Sequence, residues 1–136
     1  MSEIDDEMTQ YAHEMMPFTR ELGLEVIEAT KDVVRAQATW AAENCTANGV
    51  IHGGYLMSLA DSTGATVAML NLPEGAVTST IESKTNFFRP VTSGAIGITS
   101  IPLHVGRTTI VVQTDVTRDD GKPVTRTTQT QAVIQP

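Results

Sequence analysis

One carboxylate stands alone in the middle of this chain. From Tyr55 to Leu72, eighteen residues carry Asp61 as their single charge, directly after the turn sequence Asn48-Gly49-Val50-Ile51-His52-Gly53-Gly54. A carboxylate midway along an apolar helix is costly unless something pairs it or uses it, so Asp61 asks for a functional explanation. No Lys or Arg lies between Arg35 and Lys84, so its partner must come from the fold, from water or from a substrate. Gly53 and Gly54 sit where the helix begins. Backbone N–H groups there have no intrahelical acceptor and point along the positive end of the helix dipole, which suits a developing oxyanion. A glycine also lets a carbonyl approach with no Cβ in the way; the bland alternative is a flexible turn ahead of a helix.

Spacing adds a constraint. Gly53 and Asp61 are eight residues apart, which at helical rise is roughly 12 Å. One helix cannot bring both groups to the same carbonyl. If they act together, Asp61 must come from a second copy of the chain, with two central helices running antiparallel and the site at an isologous interface. At 100° steps, Tyr55, Leu56, Leu59, Ala60, Thr63, Val67 and Leu70 share the side expected to pack on a sheet. Gly54, Met57, Ser58, Asp61, Gly64, Ala65 and Ala68 share the other, expected to be a contact surface or a pocket wall. Gly64 costs roughly 1 kcal/mol of helix propensity relative to Ala, so something must approach the backbone there, and the second helix is the expected neighbour.

The elements around this helix follow from patterning. Asp5 to Met16 places Met8, Tyr11, Met15 and Met16 near helical spacing and ends at Pro17, giving a short lid or packing helix. Leu24 to Ala29 and Val33 to Trp40 form a hairpin across Thr30-Lys31-Asp32. After the helix come four runs rich in Thr, Val and Ile: Val77 to Phe88, Ala95 to Val105, Thr108 to Arg118 and Pro123 to Ile134. They are punctuated by Pro90, Gly94, Gly106 and Asp119-Asp120-Gly121, which is turn chemistry. The order predicts an α+β domain, with a curved antiparallel sheet wrapped around one long central helix. Residues 1–136 are expected to form one domain with an N-terminal helical segment over 1–17.

Composition bounds the function. The chain has 136 residues, 40% of them hydrophobic, which suits one core of ordinary size. Nine Lys and Arg against sixteen acids give a net charge of −7, which argues against nucleic acid as a partner. Cys45 is unpaired, and the stretch from Met1 to Glu7 is acidic rather than basic and then apolar, so a cytoplasmic protein is expected. The Tyr55 to Leu72 run contains Asp61, Gly64, Asn71 and four Ser or Thr residues, so a buried helix is expected rather than a membrane span.

The motif from Asn48 to Asp61 resembles the signature of hotdog-fold acyl-CoA thioesterases of the phenylacetate-degradation type, in which a Gly-x-x-His-Gly-Gly turn precedes an acid in the helix. Later landmarks are similar in order: Thr85-Asn86-Phe87-Phe88-Arg89-Pro90-Val91, Gly94, His104-Val105-Gly106-Arg107 and Asp120-Gly121-Lys122. The resemblance covers about Phe18 to Ile134. It implies a dimer paired through the sheet, often a tetramer, that hydrolyses thioesters without a metal and with coenzyme A only as part of the substrate. Carried over by position, the Gly53 N–H would polarise the thioester carbonyl and Asp61 of the neighbouring subunit would act as nucleophile or general base. Thr80 matches a position where some relatives place a hydroxyl near the attacking water. His52 is expected to order the turn. Thr46 stands where some relatives carry a water-positioning Asn, and Asn48 lies two residues further on; either could fill that role.

Other constellations carry less. Ser58, His52 and Asp61 are the residue types of a hydrolase triad, but Ser58 and Asp61 sit at i and i+3 while His52 lies beyond the helix start. His13, His52 and His104 are too scattered for a metal site. Arg89, Arg107, Lys122 and Arg126 could receive coenzyme A phosphates, or be solvated strand-end charges. Few large aromatics and the adaptable Met57 and Met69 predict tolerance for medium-chain or aryl acyl groups. The readings from other classes are a non-catalytic acyl-CoA-binding or sensing module, and a hotdog dehydratase whose Asp and His would be arranged differently.

Overall fold

The computed structural model describes residues 3–136. Helix α1 spans Asp6–Met15 and α2 Pro17–Leu22. Strands β1 (Glu25–Ala29) and β2 (Val34–Thr39) precede the central helix α3 (Gly53–Met69), and β3 (Val77–Phe87), β4 (Ala95–Val105), β5 (Thr109–Arg118) and β6 (Pro123–Ile134) follow it. The strands form one sheet in the order β1-β2-β4-β5-β6-β3, every neighbouring pair antiparallel. The sheet packs around α3, so the α+β hotdog architecture is the observed one.

Local chemistry sets the element ends. The β1–β2 turn closes on the Thr30 hydroxyl, which accepts from the Asp32 and Val33 N–H groups. Helix α3 starts at the glycine pair and stops at Met69, short of Leu72; there the Asn71 amide donates to the Val67 and Lys31 carbonyls. Pro17 ends α1 as expected, but it also opens α2, because proline needs no N–H partner in a first turn. The expected N-terminal helical segment is therefore two helices, and Met1 and Ser2 lie outside the described residues.

Two apolar clusters fill the space between helix and sheet. Tyr55, Leu56 and Leu59 pack with Ile96, Ile98, Val116 and Val124 at one end; Val67 and Ala68 pack with Val34, Ile110 and Val112 at the other. Along α3, β5 and β6 the residues between these clusters are polar yet buried: Thr63, Thr114, Thr127, Gln129 and Gln131. A polar layer divides the core at the level of Gly64.

Two expectations about faces need correction. Gly64 and Ala68 were expected on the side away from the sheet, but both are buried. A Cβ built on Gly64 would lie 2.3 Å from Gln129 Oε1 and 3.3 Å from Thr114 Oγ1, so the close neighbour is this chain's own sheet rather than a second helix. Helical periodicity measures angle and cannot tell which small residues a large polar side chain needs beneath it. Leu70, expected inside, is exposed at the helix end. On α1 the packed positions are Met8 and Ala12, while Tyr11 and Met15 are exposed.

The two sheet edges differ. On β1, the Val26 N–H donates to the Thr9 hydroxyl at 2.8 Å and the Val26 carbonyl accepts from the Asp5 N–H at 2.8 Å, so α1 covers that edge. On β3, the edge away from β6 pairs with no strand among the described residues, and Val77, Ile81 and Phe87 are exposed along it.

Candidate active site

The turn before α3 is held at several points. Asn48 (φ 63°) and Gly49 (φ 72°) both adopt the left-handed conformation, which Asn tolerates and Gly takes freely. The Trp40 indole N–H donates to the Gly49 carbonyl, and Cys45 bridges to Ile51. His52 then caps the helix: its Nδ1 accepts from the Gly54 N–H at 2.8 Å, and its carbonyl accepts from the Tyr55 and Leu56 N–H groups. Because Nδ1 accepts, a neutral His52 carries its hydrogen on Nε2. Of the first four N–H groups of α3, only that of Gly53 has no acceptor among the described residues. Gly53 also makes room for Phe87, whose ring would lie 3.1 Å from an added Cβ.

Two turns further along, Asp61 lies on the rim of the helix and is exposed in the single chain. It is not buried in an apolar environment as its neighbours in sequence suggested, because its side of α3 opens onto a cleft of about 350 Å³ lined by Met57, Ser58, Asp61, Thr80 and Ser83. The Gln129 amide donates to Asp61 Oδ1 at 2.5 Å, and Thr80 Oγ1 lies 3.5 Å from the same oxygen. The partner that the charge lacked in sequence is thus a buried glutamine 68 residues away on β6.

A β-bulge brings β3 to this cleft. Thr80 pairs with Gln131, but Glu82 pairs with Thr130, so Ile81 is the extra residue. Strand alternation alone would put Thr80 and Glu82 on one face; the bulge instead places Thr80, Ser83, Thr85 and Phe87 opposite the inward-facing Gln131, Gln129, Thr127 and Thr125. The same irregularity therefore supplies Thr80 and Ser83 to Asp61 and Phe87 to Gly53.

The remaining sequence candidates are distributed. Ser58 donates to the Gly54 carbonyl at 2.9 Å, His52 accepts from the Gly54 N–H, and Asp61 is bound by Gln129, so these three residues form no hydrogen-bonded triad. Thr46 and Asn48 lie on the exposed turn, and neither lines the Asp61 cleft of its own chain. A separate cleft of about 650 Å³ meets the Asp61 cleft at Ser58 and is lined by residues including Phe18, Glu43, Cys45, His52 and Tyr55. Burial, then the nearby Glu43 charge, pushes the Tyr55 phenol up, and its hydroxyl donates to the Leu22 carbonyl.

The basic residues separate as well. Phe87, Phe88, Arg89, Asp115, Pro123 and Arg126 line a cleft of about 750 Å³. Arg126 is held by hydrogen bonds to both Asp115 oxygens at 2.8 and 3.2 Å, which raise its pKa further. Among the described residues, the Arg89 side chain reaches only the Pro123 carbonyl, through Nη1. Arg107 is exposed at the β4–β5 turn, away from this cleft. No group of three or more His, Cys, Asp and Glu residues is placed to hold a metal ion among the described residues.

A match to the Thioesterase superfamily spans residues 48–125, from the turn before α3 into β6. The chain belongs to the hotdog-fold thioesterase superfamily. Relatives include a proposed esterase from Mycobacterium tuberculosis, 33% identical over 114 residues covering 82% of this chain and 81% of that one. Another, from Haemophilus influenzae, is 30% identical over 101 residues, covering 74% and 73%. Among solved structures, a thioesterase from Haemophilus influenzae superposes with a TM-score of 0.88 at 25% identity, covering 99% of this chain and 93% of that one. The structure of the Mycobacterium tuberculosis protein gives a TM-score of 0.86 at 30% identity, covering 89% and 98%. The matched region contains the Gly53 turn, Asp61 and Thr80, while Gln129 and Gln131 lie beyond it.

Gln129 and Gln131 were the residues that sequence reasoning missed. In an exposed strand, Thr-Thr-Gln-Thr-Gln reads as a solvated pattern. The available signal was Gly64, whose missing side chain required a filler, together with a lone Asp61 that required a donor.

Proposed function

We propose that this protein is an acyl-CoA thioesterase of the phenylacetate-degradation type that hydrolyses medium-chain or aryl acyl-CoA to the free acid and coenzyme A. The observation that carries the reading is the Gly53 N–H, which is the one donor at the head of α3 with no acceptor among the described residues. It is aligned with the helix dipole and flanked by no Cβ of its own, an arrangement that stabilises the oxyanion of a thioester under attack. Asp61 then serves as nucleophile, or as the base that activates water.

Gly53 and Asp61 lie on one continuous helix, eight residues apart, or roughly 12 Å. The reading therefore takes Asp61 from a second copy. Support comes from the long unpaired edge of β3, an arrangement that pairs readily with another strand. Joining two β3 edges brings together the strands that carry Thr80. In such a dimer Thr46 or Asn48 of one copy would orient water for Asp61 of the other, and two dimers could form a tetramer. Gly54, Met57 and Ser58 would line the acyl end.

The coenzyme A portion is assigned to the cleft beside Phe87 and Phe88, where the Arg89 side chain makes one hydrogen bond to a backbone carbonyl and, among the described residues, no ion pair, with Arg107 as a more distant contact. One domain, a cytoplasmic location consistent with the lone Cys45, and no nucleic-acid partner complete the proposal. Hydrolysis measured against a panel of acyl-CoAs tests it. Turnover of several medium-chain or aryl substrates is expected, with KM rising with ionic strength while kcat changes little. Binding without turnover across the panel would favour a sensing module and contradict the assignment.

A further inference from the structure

The polar layer beneath Asp61 has a fixed direction, and that direction starts from a backbone carbonyl. The Thr78 hydroxyl donates its one hydrogen to the Ala132 carbonyl at 2.8 Å, so its oxygen can only accept from the Gln131 amide nitrogen 3.2 Å away. That orients the Gln131 carboxamide. Its Oε1 must then face the other way, toward Thr80 Oγ1 at 2.5 Å and Gln129 Nε2 at 3.2 Å. A carboxamide oxygen only accepts, so the Thr80 hydrogen goes to Gln131 rather than to Asp61 Oδ1 at 3.5 Å.

Gln129 is oriented by the same logic. Its amide nitrogen faces three acceptors, Asp61 Oδ1 at 2.5 Å, Gln131 Oε1 at 3.2 Å and Thr80 Oγ1 at 3.3 Å. Turning the carboxamide over would set oxygen against oxygen three times. The observed orientation instead directs Oε1 into the space that Gly64 leaves, where it is buried and accepts no hydrogen bond among the described residues. A buried acceptor is left unsatisfied so that the N–H groups can face Asp61.

We propose that Gln129 and Gln131 are positioning residues for Asp61 and Thr80, an inference that rests on the thioesterase reading above. Gln129 holds Oδ1 of the Asp61 carboxyl group, leaving Oδ2 to face the cleft. Gln131 takes the Thr80 hydrogen, so that Thr80 presents a lone pair and accepts from the attacking water instead of competing for Asp61. Neither glutamine touches substrate.

The test uses the best substrate of the acyl-CoA panel with the intact protein. Gln129→Met keeps the side-chain length and removes both the donor and the orphaned acceptor. It should lower kcat roughly 10- to 100-fold, the loss expected when a hydrogen bond to a charged group is removed, while KM stays within about twofold and melting temperature holds. Gln129→Glu, which sets a second carboxylate against the first, should fall further. Gln131→Met acts one step away and should cost several-fold in kcat through Thr80. In an Asp61→Asn background, Gln129→Met should cause no additional loss. A folded Gln129→Met with wild-type kcat would overturn the proposal while a dead Asp61→Asn left the catalytic reading standing. An active Asp61→Asn would overturn both.

Discussion

Asp61 is the residue on which the proposed chemistry turns, and its surroundings set what a substitution should do. In the single chain it is exposed at the cleft rim, with one oxygen bound by Gln129. Asp61→Asn removes the charge but keeps the shape, and the oxygen of the new amide can still accept from Gln129. Melting temperature should therefore hold, while kcat should fall by about 10²- to 10⁴-fold, the range for losing a positioned general base. Paired kcat and thermal measurements check this; a variant retaining most of its turnover would remove Asp61 from the reaction. At this scale half of the candidate site was legible in the sequence. Asp61 and Gly53 stood out because a lone charge in an apolar run and a glycine pair at a helix start are local anomalies. Gln129 did not, because its role depends on a register between β6 and α3 that local pattern does not contain.

Among the elements, α3 and the β5–β6 turn give the clearest tests. Gly64→Ala would ordinarily stabilise a helix interior by roughly 1 kcal/mol. Here the added Cβ would meet Gln129 Oε1 at 2.3 Å, so the substitution should instead destabilise by about 1–3 kcal/mol, as overpacked cores do. Combining it with Gln129→Ser, which shortens the filler, should restore the usual benefit of alanine. Denaturant midpoints of the four proteins in the cycle measure the coupling.

In the β5–β6 turn, Asp120 accepts from Arg118 and from the Lys122 N–H, and the Arg118 hydrogen bond is the main cause of a carboxyl pKa lowered from 3.8 to about 2. A lowered folded pKa contributes stability above the unfolded value that is lost as pH falls through the folded one. The melting difference between wild type and Asp120→Asn should therefore be full above pH 3.8 and vanish toward about pH 2. A difference unchanged across that window would mean that the pair does not stabilise the turn.

Strand boundaries were legible because β-branched runs end at Gly, Pro and Asp clusters, and the hairpin and the central helix followed from the same punctuation. The bulge at Ile81, the second N-terminal helix and the sheet-facing side of Gly64 were not, since each reflects how one element fits another.

For the whole molecule, the sheet has one edge closed by α1 and, among the described residues, one left open at β3, which fits the proposal that a second copy completes the site. The α+β class and antiparallel sheet could be anticipated from element order. The placement of β3 beside β6 instead of β4 could not, because it depends on the path the chain takes around α3. The spacing of Gly53 and Asp61 on one helix was already visible in the sequence, and the structure leaves it intact, since α3 runs unbroken between them. Sharing of the site between two chains is therefore tested most directly by mixing two inactive variants. Gly53→Val should block the oxyanion position and Asp61→Asn should remove the acid, so each alone should be inactive. Because Phe87 packs against Gly53, folding of the valine variant is verified first by its melting curve. Differently tagged variants, refolded together and purified as mixed dimers, should regain up to about half of wild-type turnover, because one of the two sites in such a dimer draws Gly53 from one chain and Asp61 from the other. Mixed dimers that remain as inactive as either parent would contradict a site built from two chains.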